Sequence, residues 1–195
     1  MIRIVGFSGS LRAGSYNSSL LAAAAALLPE GAELTIGSIR GIPLYDADLD
    51  AAEGAIEPVR ILKEQIASSD ALLIATPEYN HSIPGVAKNA IDWLSRPPSD
   101  IPRVFGGRPV ALMGATPGRG ATALAQAAWL PVLRALATRP YFERSMMVAE
   151  AGKVFDADGA LTDEATRERL KKFLAGFVEM VRERKRQKAE GRRQK

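Results

Sequence analysis

The 195-residue chain has ordinary proportions of hydrophobic (47%) and charged (25%) residues, which suit one soluble globular domain with a sizeable core. It holds no cysteine and one histidine, His81, so disulfides and a thiol nucleophile are excluded and a histidine-based zinc site would need unusual substitutes. The net charge is +4 and no apolar run reaches the roughly 18 residues of a membrane span, so we expect a cytoplasmic protein whose redox chemistry, if any, depends on a cofactor.

Short apolar runs and helical patterns alternate along the chain. The apolar runs predict strands at residues 2–7, 33–36, 71–76, 109–114 and 145–148. Between them, apolar residues at helical spacing predict helices at 18–28, 55–68, 84–94 and 122–136, with Pro84 at the first helical position. A last helix follows Thr162, which we interpret as its N-cap, and the apolar stripe of this helix ends at Val181.

This alternation of strands and helices predicts a parallel sheet covered on both faces. Residues 71–75 are continuously apolar, as expected of a strand that is buried on both faces. Five strands favour the flavodoxin-like strand order over the six-stranded dinucleotide-binding fold. The sequence therefore predicts an α/β, flavodoxin-like domain over residues 1–181, with a five-stranded parallel sheet.

The loop after the first predicted strand is polar and lies before a helix. Residues 8–19 read SGSLRAGSYNSS and contain five serines, two glycines and one arginine. Unpaired N–H groups and the helix dipole favour an anion at such a position, and Arg12 can approach phosphate oxygens as a planar fork. Ser15 and Tyr16 stand where a P-loop requires Lys-Ser/Thr, and the three-glycine dinucleotide motif is absent. The loop thus suits a single terminal phosphate, and the alternative is a polar turn that only caps the helix.

The loop after the third predicted strand is Pro-Glu-Tyr-Asn-His-Ser-Ile-Pro-Gly, residues 77–85. In a flavodoxin-like sheet the first and third strands flank the switch point, and ligands bind beyond their carboxyl ends. We therefore expect both loops to face one crevice, where the second can hold backbone groups against a planar ring. Here Glu78 is interpreted as acting through its backbone, His81 as a hydrogen-bonding residue rather than a base, and Trp93 as ordinary packing.

At these residues the sequence resembles the NAD(P)H-dependent FMN reductase family, which includes bacterial quinone and chromate reductases. The resemblance covers roughly residues 1–180 and depends on two motifs in order that lie about 65 residues apart. These are Gly9-Ser10-Leu11-Arg12 followed by Ser15 and Asn17, and Pro77-Glu78-Tyr79-Asn80 followed by Ser82, Pro84, Lys88, Asn89 and Asp92-Trp93. A third matching segment is Ile42-Pro43-Leu44-Tyr45-Asp46.

The resemblance implies a set of FMN-binding residues and no metal. Those implied around the FMN phosphate are Ser10, Leu11, Arg12, Ser15, Asn17 and Ser18, and those implied along the isoalloxazine ring are Pro77, Glu78, Tyr79 and Asn80. Residues 114–122 resemble a third, glycine-rich cofactor loop. This loop departs from the family pattern, because Thr116 stands where serine is usual and Ala121-Thr122 stand where a glycine pair is usual. Thr116 keeps the hydroxyl group and is therefore included in the implied site.

The resemblance also implies an activity and an assembly. NADPH or NADH would reduce FMN, and the electrons would then pass by a ping-pong mechanism to quinones, free flavin, azo compounds or metal oxyanions. Family members are dimers or tetramers, and the helix predicted at 84–94 is a candidate interface. The alternative is an FMN-containing electron carrier without direct nicotinamide reaction. Such carriers are usually strongly acidic. A second alternative, an interaction protein without cofactor, disagrees with the intact phosphate loop.

The last residues carry most of the positive charge. Residues 182–195 contain eight lysines or arginines and two glutamates, a net of +6, so residues 1–181 carry −2 of the total of +4. This predicts a basic C-terminal tail after a slightly acidic domain. Binding of the tail to nucleic acid or an anionic membrane is one interpretation. The interpretation we favour is a solvated helix end, with no nucleic-acid or membrane partner.

Overall fold

Strands and helices alternate in the computed structural model, which describes residues 1–53 and 56–193. The strands are β1 (Ile2–Ser8), β2 (Ala32–Ile36), β3 (Ala71–Ala75), β4 (Pro109–Ala115), β5 (Arg139–Pro140) and β6 (Met146–Val148). The helices are α1 (Tyr16–Ala26), α2 (Ala47–Glu53), α3 (Glu57–Ser68), α4 (Gly85–Leu94), α5 (Ile101–Val104), α6 (Ala123–Ala135) and α7 (Glu164–Arg193).

The strands form one parallel sheet in the order β2-β1-β3-β4, with β5 and β6 both beside β4. β5 pairs with the beginning of β4 at Pro109 and Val110, and β6 pairs with its end from Met113 to Ala115. The two short strands therefore occupy a single fifth position that is interrupted between them. The predicted flavodoxin-like parallel sheet is confirmed, with its fifth position split in two.

Each face of the sheet carries its own apolar core, because successive residues of a strand point to opposite faces. In β3, Leu73 belongs to the core beneath α1 and α7, whereas Leu72 belongs to the core beneath α3, α4 and α6. Both side chains are fully buried. This explains why the strand sequence is apolar without alternation. The two helical layers fix the strands, so the loops at the carboxyl ends of the strands start from a rigid base.

Several helix boundaries differ from those predicted. Thr162 is not the N-cap of α7: the Oδ1 atom of Asp163 accepts the Thr166 N–H at 2.7 Å, and the Thr162 hydroxyl donates to the Val154 carbonyl instead. Pro84 is the N-cap of α4 rather than its first residue. α2 and α5 were not predicted, and the predicted start of a helix at Ala55 lies outside the described residues.

The last helix continues through much of the predicted tail, as far as Arg193. Its stripe of buried residues ends at Val181. Beyond that residue, Arg182 Nη2 donates to the Glu30 carbonyl at 2.8 Å, and Lys185 Nζ lies 2.9 Å from Asp70 Oδ1. The beginning of the basic segment thus contacts the domain. None of the helices in the described ranges combines the length and hydropathy needed to cross a bilayer.

Candidate cofactor site

Three loops that follow β1, β3 and β4 meet at the carboxyl end of the sheet and form a cleft of about 550 Å³. We call them the first loop (residues 9–15), the second loop (76–84) and the third loop (116–122). The cleft is lined by Ser10, Arg12, Ser15, Tyr16, Asn17, Pro77, Glu78, Tyr79, Ala115, Thr116 and Pro117. Its volume lies within the range of small-molecule sites.

The first loop presents backbone N–H groups that have no protein acceptor. Serine hydroxyls stabilise the turns of this loop. Ser8 Oγ accepts the Ser10 N–H and Ser10 Oγ accepts the Arg12 N–H, both at 3.3 Å. The N–H groups of Leu11, Ala13 and Gly14 donate to nothing among the described residues. Ser15 then caps α1 by accepting the Asn17 N–H. Free donors next to a helix N-terminus form a binding surface for an anion.

Arg12 adds a positive charge to this surface. Its guanidinium lies 5.6 Å from the ring centroid of Tyr16, which in turn stacks on Phe155 at 5.9 Å. Arg12 makes no ion pair within the part of the chain that the structure describes, so its charge is available to a ligand. A second guanidinium stabilises the first loop, because Arg40 Nη2 donates to the Leu11 carbonyl at 2.7 Å.

The start of α1 and the end of β4 are joined through a buried side-chain amide. Asn17 Nδ2 donates to the Ala115 carbonyl at 2.8 Å, and the Ala115 N–H donates to Asn17 Oδ1 at 3.0 Å. Asn17 also lines the cleft. The residue therefore contributes to the surface of the site and also fixes α1 against β4, the elements from which the first and third loops extend.

The second loop ends in a tight turn at the rim of the cleft. Tyr79 and Ser82 exchange backbone hydrogen bonds at 3.2 and 3.0 Å, and the two residues between them, Asn80 and His81, have φ values of 50° and 59°. Residues other than glycine adopt such φ values at a cost in conformational energy. Strained residues of this kind cluster at functional sites. Tyr79 is 52% exposed. The turn thus leaves an aromatic ring at the mouth of the cleft.

Glu78 fixes the second loop to α6, the helix that follows the third loop. Its Oε2 atom accepts the Ala125 N–H in the first turn of α6 at 2.9 Å, and its Oε1 atom lies 3.4 Å from His81 Nδ1. Thr122, the N-cap residue of α6, makes no side-chain capping bond. The Glu78 carboxylate therefore serves as the acceptor that the N-terminus of α6 requires.

The third loop packs against the second at a glycine. A Cβ atom at Gly114 would overlap Thr122 Oγ1 and the Thr76 carbonyl, so a side chain cannot be placed there without moving the backbone. Thr122 is buried and has a φ of 66°. Thr116 Oγ1 accepts the Gly118 N–H at 3.3 Å, which tightens the loop where it lines the cleft.

Most of the predicted site residues line the cleft, and three do not. Eight line the cleft: Ser10, Arg12, Ser15, Asn17, Pro77, Glu78, Tyr79 and Thr116. Leu11 and Ser18 line a neighbouring cavity of about 300 Å³, and Asn80 lies in the rim turn and lines neither. The indole of Trp93 is buried and donates to the Pro43 carbonyl at 2.9 Å, as expected of a packing residue.

Sequence reasoning missed Tyr16, Ala115 and Pro117 as lining residues. The signal for Tyr16 was available, because it is an aromatic residue at the start of a helix that follows a phosphate-binding pattern. Ala115 and Pro117 lie within residues 114–122, which resemble a cofactor loop, but nothing singled them out within it. They reach the cleft because β4 ends beside β3.

The cleft therefore combines a donor-rich, positively charged end with a second end of proline, tyrosine and alanine. This donor set fits a ligand with one phosphate and a planar ring, and FMN is such a ligand. The described residues contain no group of three or more histidine or acidic side chains that could hold a metal ion.

The chain is similar to known flavoenzymes. Residues 2–153 match the protein family described as NADPH-dependent FMN reductase. An NAD(P)H-dependent FMN reductase of Pseudomonas aeruginosa is 45% identical over 93% of this chain and 96% of its own length, and a 2-hydroxy-1,4-benzoquinone reductase of a Burkholderia species is 39% identical over 94% and 98%. The solved structure of FerB, a flavoenzyme NAD(P)H:(acceptor) oxidoreductase of Paracoccus denitrificans, matches with a TM-score of 0.84 at 36% identity over 94% of this chain and 98% of FerB.

Proposed function

The chain belongs to the NADPH-dependent FMN reductase family and is an FMN-dependent NAD(P)H oxidoreductase, and we propose that it reduces quinone-type acceptors in two half-reactions that use the same open side of its cleft in turn. The observation that carries this proposal is the convergence of the three loops on one cleft. The cleft has free backbone N–H groups and Arg12 at one end and Pro77, Tyr79 and Thr116 at the other.

Residues of the first loop would hold the phosphate of FMN. The N–H groups of Leu11, Ala13 and Gly14 have no other acceptor in the described chain, and Arg12 supplies the charge. Charge-assisted hydrogen bonds of this kind are stronger than neutral ones. Because Ser15 caps α1 directly beside this surface, the helix dipole acts in the same direction.

The second and third loops would hold the ring. Pro77, Tyr79 and Thr116 line this part of the cleft, and Glu78 keeps the second loop in position through its bond to α6. When bound, FMN supplies the transfer of hydride and electrons, for which the protein provides binding and orientation. His81 is exposed at the rim, and this chemistry requires no proton transfer from it.

The shared use of one opening predicts that donor and acceptor exclude each other. Tyr79 and the strained turn beside it lie at the mouth of the cleft and are exposed to solvent, which leaves a route for small planar molecules. Quinones are the favoured acceptors, since curated relatives at 36–39% identity are named as quinone reductases. NADPH and NADH are both considered as donors.

The experiment is anaerobic reduction of the purified, FMN-loaded protein by NADPH or NADH with no other protein present. We expect the flavin absorbance at about 450 nm to be lost and to return when a benzoquinone is added. Steady-state turnover should then give parallel double-reciprocal lines at several quinone concentrations. If the protein stays oxidised with both nicotinamides and responds only to an added reductase, it is an electron carrier. Intersecting lines would refute the shared opening.

We also propose a cytoplasmic homodimer or homotetramer with α4 in the interface. NAD(P)H is a cytoplasmic electron donor, which supports this location, and Val86 leaves an apolar side chain exposed on α4. Light scattering of the FMN-loaded protein measures the mass directly. Val86→Lys should reduce it if α4 forms the contact, whereas Ile61→Lys, at an exposed apolar position on α3, should not.

A further inference from the structure

A second cavity, of about 410 Å³, lies at the opposite end of the sheet from the cofactor cleft. It is bounded by the end of α3, the start of β4 and the last turns of α7, and its lining includes Asp70 at the entry to β3. Five basic side chains line it: Arg103, Arg108, Arg184, Lys185 and Lys188. We call it the basic cavity.

Some of this charge is neutralised within the protein. Lys185 pairs with Asp70 at 2.9 Å, and Arg103 lies 2.6 Å from Asp100 and 2.8 Å from Glu64. Arg108 and Arg184, in contrast, make no ion pair with any residue that the structure describes. The basic cavity therefore holds two guanidinium groups outside any ion pair, and the Asp70 carboxylate, which also lines it, attracts Arg108 without forming one.

The two guanidinium groups have different roles. Every donor of Arg108 is used inside the protein: its nitrogens contact the carbonyls of Val104, Ser69, Ala67 and Arg103 and the Ser69 hydroxyl. Arg108 thus contributes charge but no free donor. Arg184 makes no protein hydrogen bond in the described chain, and its Nη2 atom lies against the backbone of Gly107, only 2.5 Å from where a Cβ atom would stand.

Partial burial makes it costly to keep both guanidinium groups charged side by side. Burial, opposed by the attraction of Asp70 and assisted by the repulsion of Arg184, lowers the pKa of Arg108 to about 10, and burial together with the nearby Arg139 lowers the pKa of Arg184. Both groups remain charged at neutral pH. Like charges held together and partly removed from water are stabilised by a counter-ion, and guanidinium groups match phosphate oxygens in geometry.

We propose that the basic cavity binds a compact, multivalent phosphate anion, which Arg184 contacts directly and Arg108 attracts by its charge. A concave site of this size selects a small anion over an extended polymer, because a polymer would contact the exposed outer side of α7 instead. This site is separate from the phosphate-binding first loop, which lies at the other end of the strands.

The test is calorimetric titration of the FMN-loaded protein with inorganic pyrophosphate, so that the cofactor cleft is already occupied. We expect one binding site per chain. Arg184→Gln should weaken binding by about tenfold or more, the effect of losing a charge-assisted contact. Arg186→Gln is the matched control: it removes the same charge from the same helix, but Arg186 is exposed and paired with Glu179 at 2.9 Å. The control variant should keep the wild-type affinity.

Titration with ADP distinguishes the source of the phosphate. If ADP and pyrophosphate bind with equal affinity, and Arg184→Gln weakens both, the phosphates are the recognised group. If ADP binds more tightly than pyrophosphate, the ligand is a nucleotide. The proposal is overturned if pyrophosphate does not bind, or if both variants lose affinity equally. It is also overturned if a single-stranded RNA oligomer or an anionic vesicle binds more tightly and Arg186→Gln weakens that binding as much as Arg184→Gln. Equal flavin content in all three proteins controls for folding.

Discussion

Asn17 and Ala115 lie 98 positions apart in the chain and exchange two hydrogen bonds beside the cleft, at 2.8 and 3.0 Å. The Asn17 side chain thus pairs with the end of β4 in the manner of a neighbouring strand. Both residues are buried, so neither bond can be replaced by water without rearrangement. An amide side chain offers a donor and an acceptor on two separate atoms of one plane, which matches the C=O and N–H of a single residue.

Asn17→Ala should therefore weaken FMN binding and also lower the free energy of unfolding by roughly 1–3 kcal/mol, because a buried N–H and a buried carbonyl lose their partner. Urea denaturation of the cofactor-free protein measures the second effect without contribution from the ligand. Ser38→Ala serves as a control, since the Ser38 hydroxyl accepts a hydrogen bond from the Arg40 N–H away from Asn17. An unchanged unfolding midpoint for Asn17→Ala would contradict the bridging role.

Arg12→Gln should raise the Kd of FMN by about tenfold or more, since it removes one charge-assisted phosphate contact. The fold should persist, because Arg12 only overlies Tyr16 and makes no ion pair in the described residues. Arg60→Gln is the control for net charge, as Arg60 is exposed on α3 and pairs with Glu57. Fluorescence titration with FMN compares the three proteins. Equal Kd values would show that Arg12 does not face the phosphate.

Glu78→Ala should destabilise the protein by about 0.5–2 kcal/mol, the usual effect of losing a helix-capping acceptor. Glu78→Gln keeps an oxygen within reach of the Ala125 N–H and should lose less stability. Because the same bond positions the second loop, the KM for the quinone should rise more in the alanine variant than in the glutamine variant. If the two variants behave alike in thermal unfolding and in KM, the carboxylate does not position this loop.

Asp70 gives the stability a defined pH dependence. Burial raises the pKa of Asp70, but the Arg3 N–H and Lys185 lower it more, so its pKa lies below the ordinary value. A carboxylate with a lowered pKa in the folded state stabilises the protein above its unfolded pKa of about 3.9, and this contribution is lost as the pH falls through the folded pKa.

Asp70→Asn should accordingly be less stable than the wild type at neutral pH, and the difference should shrink as the pH falls below about 4. Urea midpoints measured from neutral to acidic pH follow this difference. Asp158→Asn, at an exposed position, is the matched control. A difference that stays constant over the acidic range would exclude the ionised Asp70 carboxylate, held by the Arg3 N–H and Lys185, as its cause.

The fold was predictable because local patterns and the packing agree. Strand β3 is apolar throughout and is buried on both faces, and the loops after β1 and β3 face one cleft because parallel strands end at the same edge. The interrupted fifth position could not be predicted, since β5 has only two residues and forms by pairing with β4. The choice between Thr162 and Asp163 as N-cap also depends on which side chain reaches the Thr166 N–H.

The contacts between distant parts of the chain could not be predicted from the sequence. Asn17 was singled out for a phosphate, but no local pattern indicates its partner at Ala115. Glu78 was interpreted as acting through its backbone, and the bond of its carboxylate to α6 appears only when α6 is placed beside the second loop. Arg184 was counted as part of a basic tail, yet the structure places it against Gly107.

The boundary of the folded domain can be tested by truncation. The buried stripe of α7 ends at Val181, and Arg182 and Lys185 hold the helix to the body beyond it, so removal of the residues after Gln187 should leave the FMN content and the turnover nearly unchanged. Removal of all residues after Val181 should lower the unfolding temperature, because it also deletes the Arg182 and Lys185 contacts. Pyrophosphate affinity should already fall in the shorter truncation, since Lys188 lines the basic cavity. Loss of flavin in the shorter truncation would show instead that residues 188–195 pack on a neighbouring subunit or on the cleft.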